Sequence, residues 1–515
     1  MTVTAGATPQ HPRVSPKNVI VVLLDSLNRH MVGAYGGSEF ETPNLDRLAA
    51  RSVRFTRHHT GSLPCMPARH DILVGALDFL WRPWGSIEVW EDAITYSLRR
   101  NDITSMLVSD HPHLFEIGGE NYHTDFTAWH YSRGHEGDPW RTVPDPSFVG
   151  SPTRPAIRHM PYDESRTWFR DEDDFPGPQT MRRAADWLRE TAGEHDRFFL
   201  FVDEFDPHEP FDTPERWATK YDREWDGERI FWPPYVVGAL EKGVLTEREA
   251  QHVRANYGAK LSMIDHHLGR VLDAVDELGL WDDTAFVLCT DHGHYLGEHD
   301  TFGKPGTPVH REMGHIPMLV AWPGVAPRDC DALTTAVDIH ATVADVFDIE
   351  PEHQTHGRSL VPVVTGASDG VRDHLLTGIW GTWVHVIDRD TVYGRAPDNE
   401  NSPLVMWSNR WSTMPVHSLP QLRLPRPDRR ATLDHLPITG DVPVIRQPFD
   451  VGDPLPFWAY GAKPDQHVLW DVGEDPGEMH NLAGSAREKE AIDLLRAALD
   501  EVDAPKEQLE RLGIS

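Results

Sequence analysis

Cysteine is scarce: three residues, Cys65, Cys289 and Cys330, in a chain of 515. So small and odd a number cannot build a disulfide framework, and a reducing, cytoplasmic setting is the expectation. Positive charge is also short. Lys and Arg total 49 against 81 Asp and Glu, a formal charge of −32. That balance opposes broad attraction to nucleic acid or an anionic membrane, so an anionic ligand needs a locally positive pocket. Long apolar runs are missing too. None approaches the roughly 20 residues of a membrane-spanning helix, and the opening MTVTAGATPQHPRVSPKN has no apolar signal core. Internal repeats and low-complexity tracts are absent. What remains is a globular composition, 39% hydrophobic with 18 Trp, 19 Phe and 11 Tyr.

Five short apolar runs organise the chain: Val19 to Leu24, Ile103 to Val108, Phe198 to Val202, Ala285 to Cys289 and Ile316 to Trp322. They are continuous rather than alternating, as strands buried on both faces are, which predicts a parallel sheet. Helical spacing marks Gln179 to Thr191 and Glu247 to Leu278, so strand and helix alternate in an α/β layering. Near residue 372 the texture turns rich in Trp and Pro. Short strands are expected at Trp383 to Ile387 and His467 to Asp471, long loops over 412–456, and a final helix over Ser485 to Leu499. The expected organisation is a flexible leader (1–16), a large α/β domain (17–372) and a smaller α+β domain (373–515).

Chemistry gathers where the runs end. Asp25 follows the first, His111 and His113 the second, His208 comes shortly after the third, and Asp291 and His292 follow the fourth. In open α/β sheets ligands bind outside the carboxyl ends of strands, so these residues converge if the runs are parallel neighbours. Asp25, Asp291 and His292 are hard oxygen donors with one imidazole, a set suited to Ca²⁺, Mg²⁺ or Mn²⁺. In LPCMPARHDILVG, Leu63 to Gly75, Cys65 stands just ahead of a helical pattern, with Arg69 about one turn along. A helix start favours an anion.

This segment resembles the formylglycine signature of type I sulfatases, Cys-x-Pro-[Ser/Ala]-Arg, through Cys65, Pro67, Ala68 and Arg69. The resemblance continues in order through Asn18 to Asn28, Thr42 to Thr60 (the family's following helix), Gly279 to Lys304, Val337 to Leu360 and Leu469 to Leu482. It implies the alkaline-phosphatase-like fold, a large mostly parallel sheet sandwiched by helices, and hydrolysis of sulfate esters. Cys65 would become formylglycine (3-oxoalanine), the nucleophile. Asp25, Asp291, His292 and residue 65 would hold one divalent metal, Ca²⁺ foremost with Mn²⁺ or Mg²⁺ as alternatives. Arg69 would orient the hydrated aldehyde and His113 handle its proton. Lys304 would hold a substrate oxygen, and His208, in FDPHEPF, would protonate the departing alkoxide and contact substrate.

The chain departs from the pattern at three places. Ser26 follows Asp25 where many relatives have a second aspartate, and a turn residue is expected there. His111 replaces a substrate-binding lysine, and His292 stands where many sulfatases have asparagine. The three together resemble in part the phosphonate monoester hydrolase and phosphodiesterase branches, leaving sulfate, phosphate and phosphonate esters open as substrates; a non-catalytic anion binder is the remote alternative. A formylglycine-generating enzyme is the implied partner, nucleic acid and membrane are not, and a homo-oligomer is compatible with the sequence. His294 and His299 read as structural, His310, Arg311 and His315 as undecided. Cys289 reads as core and Cys330 as a loop or surface thiol, and most of Trp81, Trp84, Trp90, Trp129 and Trp140 as core.

Overall fold

The computed structural model describes residues 15–150, 152–154, 160–412, 426–456 and 464–515. In chain order its principal sheet takes β1 (Asn18–Leu24), β2 (Val53–His59), β3 (Thr104–Ser109), β4 (Ala128–Tyr131), β5 (Phe198–Glu204), β6 (Thr284–Cys289), β7 (Met318–Ala321) and β8 (Arg328–Thr335). The spatial order is β8-β2-β7-β6-β1-β5-β3-β4. β1 lies between β5 and β6, parallel to both and buried throughout. Its side chains alternate between two apolar layers: Val19, Val21 and Leu23 in one, Ile20, Val22 and Leu24 in the other.

Helices fill both layers. Helices α1 (Pro43–Ala49), α3 (Pro176–Thr191) and α4 (Glu247–Glu277) bury Leu45, Met181, Leu188 and Leu261 on one side. The other side holds α2 (Cys65–Val74), α5 (Val337–Val346) and α6 (Glu488–Glu501). α4 begins where it does because Thr246 and Glu249 form a reciprocal capping box over its first turn. Among the described residues, no helix is long and apolar enough to cross a membrane.

Three local expectations are corrected. The run at Ile316 to Trp322 forms β7, antiparallel to both β6 and β2. A parallel neighbour needs a crossover back to the starting edge, whereas residues 290–317 stay at the carboxyl edge, so the chain can only return in the opposite sense. The Thr42 to Thr60 segment is a short helix, α1, followed by strand β2, whose Val53 and Phe55 are buried while Arg54 and Thr56 are not. Cys330 is buried, 6% exposed, inside β8.

Beyond residue 372, β9 (Leu375–Gly378), β10 (Val384–Ile387) and β11 (Thr391–Arg395) precede β12 (Leu404–Trp407), β13 (Thr432–Asp434), β14 (Val444–Phe449) and β15 (Val468–Asp471). They make an antiparallel sheet β9-β10-β11-β15 and a smaller one, β12-β14-β13. The long loops expected over 412–456 therefore contain two strands, while 413–425 and most of the leader lie outside the described residues. Val384, Val386, Tyr393 and Leu469 share the apolar layer of α2 and α5, so the principal sheet and the four-stranded sheet meet through one core.

Candidate active site

β1, β3, β5 and β6 run parallel, so their carboxyl ends deliver Asp25, His111, His208 and Asp291 to one edge. β5 extends past its apolar run to include Asp203 and Glu204, both fully buried. Cys65 is the first residue of α2, a helix buried along its whole length, and Arg69 follows one turn later. The strand ends and this helix start thus enclose a single small volume.

Ligand atoms of Asp25, Cys65, Asp291 and His292 all lie within 4.8 Å of one another, and all four residues are buried. Asp25 Oδ2 is buried without a hydrogen bond of good geometry, an atom whose desolvation a cation would offset. Two carboxylates, one imidazole and residue 65 are donors that fit a divalent cation. Burial and the neighbouring Asp291 carboxylate push the Asp25 carboxyl well above its usual range. Burial works the same way on Asp291, but His292 and Arg69 outweigh it and hold that carboxyl low.

Arg69 binds more than residue 65. Its guanidinium forms a fork on Asp203 at 2.7 and 2.8 Å, lies 2.8 Å from Asp291 Oδ2 and 2.9 Å from Asp25 Oδ2, and donates to the Cys65 carbonyl at 3.2 Å. One cation so orients three fully buried carboxylates. Asp203 went unrecognised in sequence; the signal available was the pair of acids closing FFLFVDE, where a both-faces-buried strand tolerates charge only if it is paired.

Cys65 Sγ sits 3.2 Å from His292 Nε2 and 4.0 Å from Lys304 Nζ. Burial and the Asp25 carboxylate push its thiol well above the usual value, and burial lowers His292 to about 4. Lys304 Nζ donates to His208 Nε2 at 2.5 Å and to Ser26 Oγ at 3.4 Å. Burial opposes its charge, but Cys65 and Glu209 outweigh burial and raise it. His208, lowered to about 3 chiefly by burial, uses Nδ1 to donate to the Glu209 carbonyl at 2.6 Å. Ser26 is a turn residue at φ 61°, and its hydroxyl also donates to Asp25 Oδ1 at 2.8 Å.

The two histidines after β3 separate in role. His111 is fully buried, its Nε2 3.8 Å from Asp25 Oδ2, with both ring nitrogens unpartnered. His113 turns its Nδ1 to Glu116 and its Nε2 to Glu136, the latter at 3.2 Å. Burial alone would depress it; the two carboxylates outweigh burial and raise it to about 10. The structure therefore gathers Asp25, Cys65, Arg69, His208, Asp291, His292 and Lys304, with His111 at their border and His113 held behind it.

The flanking residues sort more simply. His294 donates to the Tyr295 carbonyl and faces Glu209, while His299, His310 and His315 engage Glu312, Glu478 and the Thr56 carbonyl. Trp81 and Trp84 are buried, but Trp129 is 47% exposed. Trp84 packs edge-on against His113, with centroids 4.8 Å apart.

The family profile described as Sulfatase matches residues 17–349. Choline-sulfatase of Rhizobium meliloti (strain 1021) is 28% identical over 383 residues, 68% of this chain and 72% of its own. The multifunctional alkaline phosphatase superfamily protein PehA of Trinickia caryophylli is 26% identical over 410 residues, 67% and 76% of the two chains. In structure, the phosphonate monoester hydrolase of Agrobacterium radiobacter aligns over 94% of this chain and 95% of its own, with TM-score 0.63 at 18% identity. With the profile covering most of the sequence and the same fold in that neighbour, the chain belongs to the sulfatase family, sulfuric ester hydrolases of the alkaline phosphatase superfamily.

Proposed function

We propose that this chain hydrolyses sulfate esters of small alcohols or phenols, using formylglycine made from Cys65 and one divalent cation. The observation that carries the reading is Cys65 at a helix start inside the group Asp25, Asp291 and His292, with Lys304 4.0 Å from its Sγ and His208 against Lys304. Oxidised at Cβ by the maturation enzyme, the side chain at position 65 would supply an aldehyde hydrate, with one hydroxyl to attack the ester and a second whose proton would pass to the Lys304–His208 pair after that pair has protonated the leaving group. A cation held by Asp25, Asp291, His292 and residue 65, Ca²⁺ first with Mn²⁺ or Mg²⁺ as alternatives, supplies Lewis acidity. Arg69 keeps the carboxylates aimed and can reach a hydroxyl on residue 65. His111, with two bare nitrogens, donates to a substrate oxygen. Lys304 and His208 share a proton beside residue 65, where Lys304 holds a substrate oxygen and the pair protonates the leaving alkoxide. His113 stands behind as a cation.

Cys65 is 3% exposed, so the maturation enzyme must act before this region folds. Peptide mass spectrometry of active protein tests the nucleophile: the expected mass at position 65 is the aldehyde or its hydrate, and full activity with thiol alone refutes it. A second reading, hydrolysis of phosphodiesters or phosphonate monoesters, is favoured by His111 and His292. Kinetics on matched aryl sulfate, phosphonate and phosphodiester substrates decide between them; a large preference for phosphorus selects the second.

A further inference from the structure

Glu136 lies in the segment Gly134 to Asp138, which follows β4 and was not singled out in sequence. Its φ is 39°, on the side of backbone space that a residue with Cβ avoids, and it is only 9% exposed. The neighbouring residues hold the turn in place. Asp138 accepts the Gly134 N–H at 2.6 Å and the Arg133 fork. His135 Nε2 meets Asp206 Oδ1 at 2.8 Å, and Lys260 meets that same oxygen at 2.8 Å. Such strain persists only where the surroundings over-determine it, and it concentrates at functional sites. Here it aims one carboxylate at one ring: Glu136 Oε2 is 3.2 Å from His113 Nε2. Around that ring stand Glu116 and His111 from its own turn, Glu136 from the β4 loop, and the rings of Trp84 and Phe205. His208 stacks on the same Phe205.

We infer that Glu136 is a positioning residue of the hydrolytic site, fixing the plane and the charge of His113 so that this ring stands behind His111 as a cation and not as a free base. The inference rests on the hydrolase reading above. Its consequence is that the alkaline limb of kcat/KM belongs to His113, whose charge burial would remove and the flanking carboxylates retain up to about 10. Glu136→Gln keeps the size and removes the charge, while Glu136→Asp keeps the charge.

The test is kcat/KM for the best ester from pH 5 to 11 in the parent, Glu136→Gln, Glu136→Asp and His113→Asn, with thermal melts to verify folding. Glu136→Gln is expected to move the alkaline limb down by about one pH unit or more, and Glu136→Asp by less than about half a unit. His113→Asn should abolish that limb. A uniform loss of rate in Glu136→Gln with an unmoved profile, or a limb that survives in His113→Asn, overturns the inference. Histidine-labelled protein gives a readout without turnover: the His113 midpoint, assigned by its loss in His113→Asn, should fall by a unit or more in Glu136→Gln, and an unchanged midpoint overturns the inference. If the parent splits no ester, the hydrolase reading fails on its own, and the midpoint still decides the role of Glu136.

Discussion

Replacing Arg69 by methionine tests whether the three buried carboxylates are held by one guanidinium. Asp25, Asp203 and Asp291 are all fully buried, and Arg69 is within 2.9 Å of each. Methionine keeps most of the volume and removes the charge. Deleting one partner of a buried ion pair costs about 3–5 kcal/mol, because the other charge is left uncompensated. Three buried carboxylates share the one cation, and although the raised Asp25 is the readiest of them to take up a proton, the upper end, about 5 kcal/mol, is expected from the group together. Unfolding entropy near 60 °C is about 2.1 cal/mol/K per residue, which over the chain's 515 residues gives about 1.1 kcal/mol/K. A single cooperative transition should therefore fall by about 4–5 °C in metal-free protein. Calcium returns positive charge to Asp25 and Asp291, so the calcium-loaded variant should recover part of that fall and still lack turnover. Differential scanning calorimetry of parent and variant, with chelator and with calcium, reads both. A metal-free Arg69→Met protein melting within about 1 °C of its parent would mean that the carboxylates are protonated or hydrated, and the charged triad would be wrong.

His208→Ala should separate substrates by their leaving groups. With the partner of Lys304 gone, turnover of an alkyl sulfate is expected to fall about 10²-fold or more and that of 4-nitrophenyl sulfate far less, because a good leaving group needs no proton. Equal losses on both would remove His208 from the leaving-group side. A second expectation concerns stability against pH. Burial opposes charge on His70, but Asp78 and Glu91 outweigh it and raise the group to about 9, as Glu116 and Glu136 raise His113 to about 10. Unfolded imidazoles titrate near about 6.5. Raised folded values mean stability that is complete below that pH and lost as pH climbs through about 9 and about 10. The melting temperature should fall between pH 7 and 10, less steeply in His70→Asn, and a flat profile would contradict the charged imidazoles.

Strand ends were the legible part of this site. Asp25, His111, Asp291 and His292 each follow an apolar run within three residues, and a parallel arrangement forces such residues to one edge, so their convergence follows from periodicity and topology together. Cys65 was legible for a different reason: a helix start can be read from the pattern that follows it, and α2 begins at that residue. The direction of β7 was not legible, because a continuous apolar run carries no sign of parallel or antiparallel pairing; that depends on where residues 290–317 leave the chain. Asp203 and Glu136 were missed because neither role is local. Asp203 is 134 positions from Arg69, and Glu136 is defined by a backbone angle that no side-chain pattern announces. His113 shows the cost of that blindness. The family resemblance implies a proton-handling role for it, and the fold closes two acids on its nitrogens, Glu116 from its own turn and Glu136 from the loop after β4. A residue's position relative to a motif can indicate that it belongs to a site, whereas its protonation state is set by what the fold brings against it, and for His113 that is a carboxylate at each ring nitrogen.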